Sequence, residues 1–148
     1  MSKLLFEETF DNYRVDMYNR NAYLAAKDFV EKKMVKGMIF GVFGLEGVGK
    51  TRLLRAMANY FTMKNSLEEV MYVVGMDLVE ELRLAKKRRD IFLLSLKWKY
   101  RNAKVICLDG VQVLLTDEEV HDWYMHWFHY CKRKCKRMIY TYDCDEKL

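Results

Sequence analysis

The 148-residue chain has no proline and only seven glycines, which excludes collagen-like, polyproline and glycine-rich linker classes. Its four cysteines, Cys107, Cys131, Cys135 and Cys144, are too few and too unevenly spaced for a secreted disulfide scaffold. No signal-peptide pattern opens the chain, so the reduced cytoplasm is the expected compartment. The longest apolar run, Met38 to Phe43, falls far short of the ~20 residues a membrane helix needs. A soluble protein without a membrane partner is expected.

Apolar side chain is plentiful: 51% of residues are hydrophobic and 14% aromatic, too much to remain in water as a disordered chain. A domain of this size buries roughly two-thirds of its unfolded surface and needs no covalent staples. Residues 1–148 therefore read as one domain. Lys and Arg number 26 against 21 Asp and Glu, leaving +5, a balance that permits polyanion binding without requiring it.

Periodicity changes several times along the chain. After Asn19, read as a helix cap, Ala22, Ala26, Phe29 and Val30 fall at helical spacing, and Gly37 stops that helix. Met38 to Phe43 reads as a buried strand, and Lys50 to Met63 resumes the helical period. Val70 to Val74 is a second strand, Leu78 to Trp98 is largely helical, and Val105 to Leu108 is a third strand ending in Asp109. Thr116 with Glu119 resembles a capping box, opening a helix with an aromatic face through Trp123, Tyr124, Trp127 and Phe128. Lys132, Arg133, Lys134, Lys136 and Arg137 occupy its last turns, where cations suit the helix dipole. Met138 to Tyr142 closes as a fourth strand. Strands alternating with helices predict an α/β fold, a three-layer arrangement around a parallel sheet of about four strands.

Between the first strand and its helix, Gly44-Leu-Glu-Gly-Val-Gly-Lys-Thr51 matches G-x4-G-K-[ST], a phosphate-binding loop. Gly44, Gly47, Val48 and Gly49 let main-chain amides turn inward, and the helix N-terminus, reaching Arg52, adds the positive end of its dipole. Lys50 would reach the outer phosphates and Thr51 would ligate magnesium. Asp109, delivered by the third strand, would stand behind that magnesium. The cofactors implied are ATP and Mg2+.

Phe10-Asp11-Asn12-Tyr13, Asn19-Arg20, Ala22, the glycine loop, Tyr72-Val73, Tyr100-Arg101-Asn102 and Leu108-Asp109-Gly-Val-Gln112 together resemble the AAA+ core of the DnaA replication initiators. Helicase loaders of the DnaC type are next closest. The resemblance runs from about Phe6 to the end and implies a P-loop NTPase sheet with the fourth strand beside the first. It also implies that Thr141 and Asp143 occupy the sensor-one position, giving Lys50, Asp109 and Asp143 as the catalytic set.

Three departures from the family pattern stand out. Gly110 replaces the second acid after the Walker B aspartate, the group that deprotonates water. Loss of a general base typically costs about 10² to 10⁴ in rate, so slow or absent hydrolysis is expected. Val15-Asp16 replaces a Val-Gly pair in the nucleotide-contacting loop. The sequence ends at Leu148, ahead of the family's fifth strand, arginine finger, lid and duplex-DNA-binding domain, so a domain without its lid is expected.

Lys86, Lys87, Arg88 and Arg89, with Lys97, Lys99 and Arg101 beyond, fall where the family carries an insertion that lines single-stranded DNA. Interleaved with Phe92, Trp98 and Tyr100, they are read either as a single-strand binding surface or as a solvated basic helix. His121, His126, His129, Cys131 and Cys135 invite a zinc reading, but the cysteines lie on the apolar stripe and are assigned to packing. The expected function is an ATP-binding, DnaA-like protein in replication initiation or its regulation. The alternatives are an active P-loop ATPase, small kinase or helicase loader, and a degenerate module that docks on a replication initiator or helicase.

Overall fold

A computed structural model describes residues 4–32, 38–44, 49–64, 69–88, 103–134 and 137–144. Its elements run α1 (Arg20–Glu31), β1 (Ile39–Gly44), α2 (Lys50–Lys64), β2 (Val70–Val74), α3 (Gly75–Arg88), β3 (Val105–Asp109), α4 (Gln112–Thr116), α5 (His121–Arg133) and β4 (Arg137–Asp143). The four strands form one parallel sheet in the order β1-β4-β3-β2. The fourth strand lies beside the first, as the resemblance implied.

Alternation along the strands builds two cores. Val42, Val70, Val105, Cys107 and Ile139 face α1 and α2, where Ala26, Phe29, Leu53, Leu54, Met57 and Phe61 meet them. Val73, Ile106, Leu108 and Met138 face the other way, onto Leu78 and Leu82 of α3, Leu114 of α4, and Tyr124, Trp127 and Cys131 of α5. β3 is covered on both sides, so its apolar residues run without a break, and the three-layer expectation holds. Among the described residues no helix is long and apolar enough to cross a membrane.

Three local expectations are corrected. Thr116 does not open the aromatic helix: it ends α4, and its hydroxyl donates back to the Gln112 carbonyl (2.8 Å). Asp117 instead closes the turn ahead of α5, its carboxylate accepting the Glu119 and Val120 N–H groups at 3.0 and 3.2 Å, while Val120 precedes the helix without a side-chain cap bond. Asp and Thr both suit such a turn, but only Asp117 lies beyond the end of α4. Asn19 precedes α1 without a side-chain cap bond; its amide oxygen accepts the Asp16 N–H (2.8 Å) while Asp16 accepts from Tyr18 and Asn19. Arg137 belongs to β4, not to the last turn of α5, and is buried.

The segment before α1 is tied down by its own sequence. Thr9 and Asn12 exchange backbone-to-side-chain bonds at 2.8 and 3.2 Å, and the Asn12 amide donates to the Glu7 carbonyl. That turn inserts Phe10 into the core between Tyr23 and Tyr60 and leaves Tyr13 stacked on Tyr23.

Candidate functional site

The C-terminal ends of parallel strands are where open α/β sheets bind ligands, because loops diverge there and helix N-termini converge. Here β1 ends in Gly44, β3 in Asp109 and β4 in Asp143, with Gly44 opposite Asp143 in register. By strand alternation Asp109, Thr141 and Asp143 share the face of Cys107 and Ile139, toward α2. Sequence alternation thus places three polar groups against the first turn of one helix.

Gly49 enters α2 with φ +96°, a left-handed turn that disfavours side chains. Lys50 follows, buried, with its ammonium 2.9 Å from an Asp143 carboxylate oxygen. The Thr51 hydroxyl donates to Asp109 Oδ1 (3.1 Å) and the Thr141 hydroxyl donates to the same oxygen (3.0 Å). Thr141 also accepts the Gly110 N–H (2.8 Å), tying the β3 turn to β4. Lys50, Thr51, Asp109 and Asp143 are therefore brought together as the sequence suggested.

Two partners were not among the predicted site residues. The Tyr72 hydroxyl donates to Asp109 Oδ2 (2.6 Å). Burial first, and then the Asp109 carboxylate, push the Tyr72 pKa well above the ordinary tyrosine value, so it stays a donor. Gln112 clasps Asp143 at both ends: its amide nitrogen donates to Asp143 Oδ2 (3.3 Å) and its oxygen accepts the Asp143 N–H (3.0 Å). Both residues carry the family resemblance, but their roles depend on strand order, which spacing alone does not supply.

A cleft of about 270 Å3 opens beside this cluster, lined by Tyr13, Asp16, Asn19, Val42, Gly44 and Lys50 among others. It adjoins a more polar cleft bounded by Thr51, Arg52, Arg14 and Arg55. Asp16, the departure from the family's Val-Gly pair, spends its carboxylate on the turn before α1. Gly47 and Val48 lie outside the described residues, as does Arg89. Lys86 and Lys87 are exposed near the end of α3, about 16 Å along the helix from Gly75; Arg88 is its last residue. Phe92, Lys97, Trp98, Lys99, Tyr100 and Arg101 also lie outside the described residues. Cys131 is fully buried in the core on the α5 side.

The family model for the bacterial DnaA ATPase domain matches residues 4–147. The chain is 32% identical over 144 residues to the chromosomal replication initiator protein DnaA of Nautilia profundicola, covering 96% of this chain and 31% of that protein. It spans between 26% and 31% of the length of the curated relatives it matches. Among solved structures, a replication initiator DnaA bound to AMPPCP and single-stranded DNA superposes with a TM-score of 0.81 at 25% identity, covering 95% of this chain and 43% of that one. The DnaC helicase loader shares the fold, with a TM-score of 0.75 at 20% identity over 95% of this chain and 78% of that one. The matched family, the AAA+ sheet order and the cluster of Lys50, Thr51, Asp109 and Asp143 agree: this chain belongs to the bacterial DnaA ATPase-domain family.

Proposed function

We propose that residues 1–148 form a single nucleotide-binding domain that holds Mg-ATP and acts in the initiation of DNA replication or in its regulation. The observation that carries this reading is the convergence of Lys50, Thr51, Asp109 and Asp143 at the ends of adjacent parallel strands. Gly44, Gly49 and Arg52, with Gly47 and Val48 of the same sequence motif, would bind the phosphates, and ATP would lie in the cleft beside Tyr13. A DnaA relative bound to AMPPCP supports the choice of ATP.

The residues present fit a magnesium ion. The Thr51 hydroxyl spends its hydrogen on Asp109, which leaves its oxygen lone pairs for a cation. Thr51 would hold the metal directly and Asp109 would orient Thr51 from behind; magnesium characteristically takes few protein ligands and shares phosphate oxygens. When bound, the ion supplies charge neutralisation on the phosphates.

Lys50 neutralises the outer phosphates, in exchange for its present contact with Asp143. Asp143, held by Gln112, would face the end of the triphosphate. With Gly110 in place of the second acid, no carboxylate at that position removes a proton from water, and hydrolysis is weak. The chain works as a nucleotide-responsive binder. Lys86, Lys87, Arg88 and Arg89 contribute salt-sensitive contacts to single-stranded DNA, and the protein partner is a replication initiator or helicase. A DnaA relative bound to single-stranded DNA supports the first of these.

Thermal unfolding with ATP or GTP, with and without Mg2+, tests the reading. Ligand at about 100 times its dissociation constant stabilises by about 2.7 kcal/mol. ATP with Mg2+ is expected to raise Tm by several degrees; no shift with any nucleoside triphosphate contradicts the proposal.

A further inference from the structure

One stripe of α2, Thr51, Arg55 and Asn59 at successive i,i+4 positions, runs from the phosphate site down to the N-terminal segment. Asn59 bonds the Phe6 N–H (3.0 Å) and the Phe6 carbonyl (2.8 Å). Arg55 pairs with Glu8 at 3.1 Å and lies over the Phe6 ring. Tyr72 packs edge-on against Phe6, with ring centres 4.6 Å apart. A continuous chain of contacts therefore links Glu8, Arg55, Phe6, Tyr72, Asp109 and Thr51.

Within it, the two oxygens of Asp109 are used differently. Oδ1 takes both threonine hydroxyls, and Oδ2 takes Tyr72. A carboxylate held through one oxygen can pivot about its side-chain bond; one held through both cannot. We propose that Tyr72 is a positioning residue for the magnesium site, fixing the Asp109 carboxylate so that it keeps the Thr51 hydroxyl hydrogen and turns the Thr51 oxygen toward the cation. Phe6 backs the Tyr72 ring, and Arg55 and Asn59 hold Phe6. This rests on the Mg-ATP reading and adds a residue to it.

The test is a Mg2+ titration of ATP binding on wild type and Tyr72→Phe, which keeps the ring against Phe6 and deletes only the hydroxyl. Removing partners that orient a metal ligand typically weakens metal affinity about 10- to 100-fold. ATP affinity in EDTA is expected to be unchanged, while the Mg2+ needed for half-maximal enhancement rises about tenfold. Arg55→Met is expected to move the same midpoint in the same direction by less. In an Asp109→Asn background, Tyr72→Phe is expected to add nothing.

Wild-type Mg2+ midpoints in both variants overturn the proposal, as does an equal loss with and without Mg2+, the mark of a merely structural tyrosine. Those results leave ATP binding itself standing. Failure of the wild type to bind ATP at all removes the Mg-ATP reading, and this proposal with it.

Discussion

Lys50 and Asp143 form an ion pair at 2.9 Å in which the lysine side chain is 5% exposed and the aspartate 36%. The pair joins the first residue of α2 to the end of β4. A bound triphosphate presents the same sign of charge as Asp143, so the two compete for one ammonium. Asp143→Asn is expected to destabilise the nucleotide-free protein by about 1 kcal/mol and to leave ATP affinity equal or higher. Urea unfolding and a binding isotherm on the same variant check both halves; a fall in affinity would contradict the competition.

Gly110 sits at φ +81°, and a Cβ on Gly75 would collide with the Gly110 carbonyl oxygen. The turn after Asp109 thus favours glycine through its backbone, and the start of α3 requires it for space. Gly110→Asp is expected to cost about 1–2 kcal/mol, because the left-handed backbone penalises a side chain. Any side chain there starts within 3.4 Å of the Gln112 amide nitrogen. Phosphate release by Gly110→Asp is accordingly expected to stay well short of the roughly 10²- to 10⁴-fold gain a positioned general base brings.

Arg137 is 3% exposed, lies over the rings of Phe29 and Phe61, and donates to the Lys32 carbonyl at 2.9 Å, beyond the end of α1. Burial lowers its pKa from the ordinary arginine value. A lysine loses the planar stacking and keeps a buried charge, whereas methionine keeps ring contact without the charge. Arg137→Lys is expected to lose about 1–3 kcal/mol, and Arg137→Met less than that. Equilibrium unfolding of the two variants ranks them, and the reverse order would contradict this account of the packing.

Burial pushes the Cys107 thiol up to about 12 from 9.0. Its folded value lies above its unfolded one, so the associated stability is complete below pH 9 and is lost as pH climbs toward 12. The loss is up to about 4 kcal/mol. The raised hydroxyls of Tyr72 and Tyr124 add in the same direction at still higher pH. Stability measured from pH 8 to 11 is expected to decline, and Cys107→Ala to make that decline shallower while lowering stability at neutral pH.

How much was legible depended on whether local sequence decided the matter. The strand delivering Asp109 and the helix that opens at Lys50 were readable because an unbroken apolar run and a helical period are local signals. The aromatic face of α5 was readable for the same reason. Arg137 was misplaced because a basic run suits a helix end, and only tertiary burial between Phe29 and Phe61 reveals a strand residue. Thr116 was misread because Asp117, one residue on, is what closes the turn ahead of α5. Tyr72 and Gln112 were missed as site residues because their partners, 37 and 31 positions away, are set by strand order.

Calorimetric titration of ATP in the presence of Mg2+ into wild type and Lys50→Ala tests the central claim most directly. Saturable one-to-one binding to the wild type that is lost or reduced at least about 100-fold in Lys50→Ala is the expected result. Equal heats for the two folded proteins, or none for either, would contradict it.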